Sequence, residues 1–421
     1  MRITYYSLIA LTVLLFTTIL SAEQNFKDTL TSSAHINKYP YPNHTPYTAG
    51  TIKPSHFSQK ELDQHVANFY EQWKKDYLRS ISNTNGSSYR IAFGKEDSNR
   101  SVITVSEGQG YGMIITVLMA GYDPSAQIIF DGLLAFVKAH PSKYHNGLMA
   151  WKVDTQNSDV EDSAFDGDAD IAYALLLADK QWGSKGAINY RLTAEVMIDK
   201  IYHYTIGPYS KLPMLGDWVT YNGKTYNQFS IRSSDLMLSN FYTFNNVDQR
   251  WNSVLKRSIY SIVQLQHTYA SATMLLPDFF VLKNRRAFQP APKDFLEGKN
   301  DGNYYYNACR TPLRLGIYTL LHKNEAMQQN LSKLSQWLEH STKSNPENIH
   351  AGYTLSGEPL PNSNYQSSLF LSTFAIAAML NPHQQKWLNI LYSNVYKEHI
   401  DYYEDSVTLL SLLVMSGNYW D

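Results

Sequence analysis

The stretch DSAFDGDADIAYALLLADKQWG, residues 162–183, joins two unlike patterns. Its second half is helical: Ile171, Leu175, Ala178 and Trp182 recur at three- and four-residue steps and form one apolar stripe. The spacing predicts a helix over 169–181, preceded by a loop that carries Asp166 and Asp168. Asp166, Asp168 and Asp170 alternate as in a calcium loop. Such a loop needs Gly at position six and Glu at position twelve. Counting from Asp166 gives Ile171 and Leu177, so the calcium reading fails. One aspartate can cap a helix, but three close acids repel one another unless something holds them apart. A clustered acid set is therefore a candidate acid–base site.

Working outward, the same helical recurrence covers most of the chain. It predicts twelve helices, over 60–78, 110–120, 125–139, 169–181, 187–203, 233–244, 247–269, 308–322, 325–341, 365–380, 384–398 and 404–416. Alternating strand patterns are confined to loops, in SVITV (101–105) and MLLPDFFVL (274–282). Twelve helices with mostly short connections make an all-α protein and can close into inner and outer rings of six. A superhelical stack of helix pairs is the competing arrangement, and no fixed-period repeat favours it. The longest connections, 79–109, 140–168 and 270–307, precede the second, fourth and eighth helices. In an up-and-down bundle these loops open onto one end, and long loops in compact domains are commonly functional.

The chain has 421 residues, 43% apolar and 17% charged, which fits a globular core and argues against disorder. A net charge of −1 lacks the basic footprint of a nucleic-acid binder. Residues 1–22 read as a secretory signal peptide: Arg2, an apolar run from Leu8 to Leu20, then Ser21-Ala22. The expected mature protein is secreted, free of the membrane and monomeric. Its single cysteine, Cys309, excludes an intrachain disulfide. Residues 23–58, with YPYPNHTPY at 39–47, are expected to be irregular and to wrap the surface of a single domain spanning 59–421.

The three long loops carry the candidate chemistry. The first ends in SEGQGYGM (106–113), placing Glu107 just before a helix among Gly108, Gly110 and Gly112. A lone acid there suits the helix dipole, but the glycines cost helix stability and let a backbone approach something closely. The third carries PAPKDFLEGKNDGNYYYNACRTPLR (290–314), with Asp294, Glu297 and Asp301 beside three tyrosines. Tyrosine is abundant, at 32 residues. Rings beside acids fit a sugar groove, with Trp151 and Trp218 as further candidates. No metal-ligand spacing, phosphate loop or nucleophile elbow appears, so no metal or cofactor is expected. Paired-carboxylate chemistry remains, and glycoside hydrolysis is its leading use.

SEGQGYGM, DSAFDGDADIAYALLLADKQWG, SIRSSDLM (230–237) and YYYNACRTPLR together resemble glycoside hydrolase family 8, in family order over essentially the whole mature chain. The resemblance implies an (α/α)6 barrel and an inverting, endo-acting enzyme on β-1,4-linked or mixed-linkage polysaccharide. Its two carboxyls would stand about 6.5–9.5 Å apart, leaving room for water. It further implies that Glu107 is the general acid and that Asp168 supports the distorted sugar. Tyr111, Trp151, Trp218, Asp235, Tyr306, Asn307 and Arg310 would bind substrate. Many members have Asp where this chain has Asn307, and an amide cannot take a proton from water. Another branch takes its base from the preceding loop, so Glu297 is assigned, with Asp294 and Asp301 as alternatives. Substrates rank as mixed-linkage β-glucan, chitosan, cellulose, then xylan. The rival reading is a non-catalytic glycan-binding protein on the same fold.

Overall fold

In the computed structural model, residues 37–83, 86–96, 101–157, 159–283 and 287–421 are described. The leader expected over 1–22 lies outside them. Tyr39–Asp421 form one compact unit; of the other, Met1–Lys38, all but the last two residues lie outside the described set. Twelve α-helices occur among the described residues: α1 (Gln59–Tyr77), α2 (Ser106–Leu118), α3 (Ala126–Ala139), α4 (Phe165–Trp182), α5 (Tyr190–Thr205), α6 (Leu238–Asn245), α7 (Trp251–Tyr269), α8 (Thr311–His322), α9 (Glu325–Ser341), α10 (Ser368–Ala378), α11 (Gln385–Ser393) and α12 (Tyr402–Met415).

The even-numbered helices α2, α4, α6, α8, α10 and α12 each pack on the next, and α12 returns to α2. This closes an inner ring and rules out the superhelical stack. The odd-numbered helices pack outside it, α3 on α2, α5 on α4, α7 on α6, α9 on α8 and α10, α11 on α10 and α1 on α12. The sequence already encodes the two roles. Inner helices such as α10 (SLFLSTFAIAA) are buried on every side, whereas outer α1 buries one stripe, including Leu62, Val66, Phe69, Tyr70 and Trp73, and exposes the rest. The fold is an (α/α)6 barrel.

Helix starts carry the expected chemistry at several places. Ser58 and Glu61 form a reciprocal capping box on α1, and Asp401 caps α12 through the N–H groups of Tyr403 and Glu404. Two helices start four residues earlier than their apolar periodicity indicates. α2 begins at Ser106 and α4 at Phe165, because their small, polar first turns are buried against each other. The glycines answer to that packing. A Cβ on Gly110 would stand 2.7 Å from Asp170 Cβ and 3.2 Å from the Gly167 carbonyl, and one on Gly108 would strike the Tyr402 ring. The thing approached closely is the neighbouring helix.

Residues 39–58 form no helix or strand and belong to the same compact unit as the helices. The strands gather in the connections that lead into inner helices. β1 (Leu78–Asn83) and β2 (Gly86–Ile91) form an antiparallel hairpin, and β3 (Val102–Val105) pairs with β4 (Lys152–Asp154). β5 (Ser230–Arg232), β6 (Phe279–Lys283) and β7 (Ala287–Pro290) form an antiparallel sheet in that order. SVITV and MLLPDFFVL supply β3 and β6, as their alternation indicates. The β5–β6 register pairs Arg232 with Phe279, and so holds the third long loop beside the start of α6.

Candidate active site

The N-terminal ends of the inner helices meet around a cavity of about 210 Å3 lined by residues including Glu107, Trp151, Asp166, Arg232, Glu297, Asn307 and Arg310. Glu107 and Asp166 project from the first turns of α2 and α4, and Arg310 ends a short 3-10 turn leading into α8. Arg310 Nη1 donates to Glu107 Oε2 at 2.5 Å and to Asp166 Oδ2 at 2.8 Å. Its Nη2 donates to Ser234 Oγ at 2.8 Å and Asn307 Oδ1 at 3.2 Å. The Tyr402 hydroxyl, from the start of α12, donates to Glu107 Oε1 at 3.1 Å.

This shared arginine separates two acids by environment. Burial pushes the Glu107 carboxyl above its ordinary range; the nearby Asp166 adds to that, and Arg310 and Tyr402 only partly offset it. Burial acts on Asp166 in the same direction, but Arg310 and then Arg232 outweigh it and hold its carboxyl below the usual range. Of the pair, Asp166 is held toward its charged form and Glu107 is pushed toward its protonated one.

On the same cavity, Glu297 accepts from Arg232 Nη2 at 3.1 Å and from Asn307 Nδ2 at 2.8 Å, with nearly half its side chain exposed. The two alternatives for the base are not among the residues lining this cavity. Asp294 lies out in solvent beside Lys293. Asp301 is buried, and its two oxygens accept the backbone N–H groups of Leu296, Glu297 and Gly298 at 2.6, 3.0 and 3.0 Å. It builds the turn that presents Glu297.

Several expected site residues sit elsewhere. Asp168 is fully buried and its Oδ1 accepts the Met149 N–H at 2.8 Å, so it anchors the 140–164 connection and does not face the cleft. One helical step decides this: Asp166 lies on the cleft side of α4, and Asp168 turns away. Asp170, one turn on, forms a two-pronged ion pair with Arg314 at 2.8 and 2.5 Å. The three aspartates are thus held apart by three different partners. Asp235 is also wholly buried, 3.7 Å beneath Arg232, and its carboxyl is pushed up to about 7 by burial. Tyr111 is buried behind Arg310, 3.4 Å from Nη1. Trp218 packs edge-on against Tyr226 at 5.4 Å, within a small apolar cluster around Phe279 and Leu296. The Tyr306 hydroxyl bonds that of Tyr365 at 3.0 Å. Trp151, over a third exposed, and Asn307 line the cleft as expected.

Sequence reasoning missed Arg232, Tyr402, Ser234 and Asp278, and assigned Asp166 no role. Arg232 and Ser234 lie inside SIRSSDLM, which was the available signal. Buried Asp278 accepts the N–H groups of Tyr305 and Ala308 at 2.9 and 2.7 Å and so orders the turn that carries Asn307 and Arg310.

A carboxyl pushed toward its protonated form and a second, half-exposed carboxyl on one cavity, at the N-terminal mouth of a closed double ring of helices, suit the paired-carboxylate chemistry of a glycoside hydrolase. The chain belongs to glycosyl hydrolases family 8, whose sequence profile matches residues 47–417. It is 42% identical over 386 residues to a beta-glucanase of Niallia circulans, spanning 90% of this chain and 91% of that one. An endoglucanase of Bacillus sp. (strain KSM-330) is 39% identical, over 90% of this chain and 81% of the relative. Among solved structures, a beta-1,3-1,4-glucanase from Paenibacillus sp. X4 superposes with a TM-score of 0.85 at 40% identity, covering 91% of this chain and 99% of that one.

Proposed function

We propose that the protein is an endo-acting β-glucanase that hydrolyses β-1,4 bonds in mixed-linkage β-glucan with inversion at the anomeric carbon. The observation that carries this reading is the unlike setting of two carboxyls on one cavity: Glu107 is mostly buried, which pushes it toward its protonated form, whereas Glu297 is half-exposed. Glu107 gives its proton to the glycosidic oxygen as the bond to the anomeric carbon breaks. Glu297 takes a proton from water as that water attacks the opposite face of the sugar. Asp166, charged and on the cleft wall, takes over the sugar-supporting role expected of Asp168.

A guanidinium and an amide stand between the two carboxyls, in the chain Glu107–Arg310–Asn307–Glu297. Such a spacer favours the wider carboxyl separation that admits a water, and so supports inversion. The two arginines on the cavity are paired with its carboxyls, Arg232 with Glu297 and Arg310 with Glu107 and Asp166, so no unmatched negative charge there calls for the cationic amines of chitosan. The names borne by the relatives, beta-glucanase and beta-1,3-1,4-glucanase, support the same substrate. We also infer export through the apolar N-terminal run, which intact-mass analysis of secreted protein would test.

The test is reducing-end release on lichenan, chitosan, carboxymethylcellulose and xylan, with proton NMR of the first product. Release should be strongest on lichenan, with the α anomer appearing first. A β anomer appearing first would refute inversion, and preferential release from chitosan would overturn the substrate.

A further inference from the structure

A second cavity, of about 550 Å3, opens at the C-terminal end of α5 and runs under the α5–α6 connection. Tyr202, His203 and Tyr204 from the last turn of α5, His145, and Tyr221 and Asn222 from the connection line it. Its rings are presented to water. Tyr204 is 43% exposed and Tyr221 46%, while Tyr209, at 77%, meets Tyr221 edge-on at the rim with ring centres 6.2 Å apart.

Exposed rings are ordinary, but these stand on a fixed frame. The buried Gln228 side chain accepts the N–H groups of Tyr209 and Ser210 at 2.8 and 2.9 Å and donates to the Tyr221 carbonyl at 3.1 Å. One buried amide therefore pins the backbone beneath both tyrosines. His145 stacks edge-on to Tyr204, with ring centres 3.5 Å apart. Tyrosines held this way offer large contact area at little entropic cost.

The cavity also shares a wall with the catalytic cleft. Asp217 lines the cavity and accepts from the Ser163 N–H at 2.8 Å and the Ser142 hydroxyl at 2.6 Å. Leu215, two residues before it, accepts the Phe165 N–H at 3.3 Å. Ala164 and Asp166, flanking Phe165, line the cleft itself.

We propose that this cavity is a second glycan-binding site, which holds a segment of the same β-glucan polymer whose bond is cut in the cleft. The proposal rests on the β-glucanase reading. Tyrosine and histidine rings match the apolar faces of pyranose rings, and Asn222 and Thr220 supply neutral hydrogen-bonding groups for hydroxyls. Lys211 and Asp217 put one charge of each sign on the lining, which favours a neutral polymer over a polyanion or a polycation. Position supplies the rest. Both cavities open at the end of the barrel where the inner helices begin, so a long chain can engage both while a short oligosaccharide fills only the cleft. Two linked contacts on one polymer raise its effective affinity without changing the chemical step.

The experiment compares the full chain carrying Glu107→Gln, with and without Tyr204→Ala plus Tyr221→Ala, in native gels containing mixed-linkage β-glucan. The tyrosine-bearing protein should be retarded, and the double change should weaken retention roughly fivefold. With Glu107 restored, the double change should raise KM on the polymer by a similar factor and leave kcat/KM on a cellotetraose-sized β-glucan oligosaccharide unchanged. Equal retention with and without the tyrosines would overturn the site, as would equal losses on polymer and oligosaccharide. Failure of the unsubstituted enzyme to cut the oligosaccharide would instead sink the β-glucanase reading, which keeps the two failures distinguishable.

Discussion

The two ends of the inner ring are built from the same six helices and are chemically opposite. At the N-terminal end, Asp166 occupies a first turn, where free N–H groups and the helix dipole favour its negative charge, and Glu107 occupies the neighbouring one, where burial works the other way. At the C-terminal end the orphan groups are carbonyls, and residues 41–52 cross them and supply donors. Tyr41 N–H bonds the carbonyl of Ala120 at 2.7 Å, Thr45 that of Gly417 at 2.7 Å, Thr48 that of Leu320 at 2.8 Å and Ile52 that of Met379 at 2.9 Å. These carbonyls stand at or just past the ends of α2, α12, α8 and α10. One end is closed by chain and the other left open to a substrate. Charge and accessibility concentrate where the helices begin, and satisfied backbone where they end.

The largest expected effect separates the two ends outright. Glu107→Gln and Glu297→Gln should each lower kcat on lichenan by about 10²–10⁴-fold, the range for losing a positioned acid or base, with the urea unfolding midpoint unmoved. A Glu297→Gln enzyme with near-native kcat would shift the base elsewhere. The next carboxyl bonded to Asn307 is the buried Asp278, 3.4 Å from its Nδ2, which burial pushes up to about 7.

The converse change strikes the closed end. Asn418 is fully buried; its Oδ1 accepts the Asn43 and His44 N–H groups at 2.8 and 3.3 Å, and its Nδ2 donates to Asp63 Oδ1 at 2.8 Å. Asn418→Ala leaves those groups without their partner and should cost about 2–3 kcal/mol of stability, read by urea unfolding. At a temperature where the variant stays folded, its kcat on lichenan should match the parent. A normal midpoint with a damaged kcat would break the division of labour between the ends.

The ring was legible in the sequence because helical periodicity is a property of each segment alone. Inner helices read as apolar nearly all round and outer ones as striped, and the unequal loops marked the open end. The first turns of α2 and α4 were not legible. Ser106, Gly108, Gly110 and Gly167 carry no apolar signal, since what they bury is backbone against backbone across the crossing. That four-residue shift also hid which aspartate faces the cleft, because on a helix two residues' difference turns a side chain to the far side. Glu297 was reached through the resemblance to a family branch that takes its base from the loop before Asn307, and the structure places it on the cavity. Arg232 was not, because its partnership with Glu297 spans 65 residues and depends on the β5–β6 register.

Asp166 and Asp168 sharpen the comparison at its finest scale, two residues apart on one helix. Asp166 raises the Glu107 carboxyl by its charge and shares Arg310 with it. Asp166→Asn removes the charge and leaves the arginine's attraction to Glu107 undivided. Both changes act to lower the Glu107 pKa. A general acid works only while protonated, so activity is lost as pH rises through its pKa, and a lower pKa moves the alkaline limb of the kcat/KM profile to lower pH. Asp168, pushed well up by burial and bonded to the Met149 N–H, faces away from that pair. Asp168→Asn should therefore leave the alkaline limb in place and register, if anywhere, in unfolding. A profile that shifts with Asp168→Asn and stands still with Asp166→Asn would return the cleft role to the residue that the motif alone suggested.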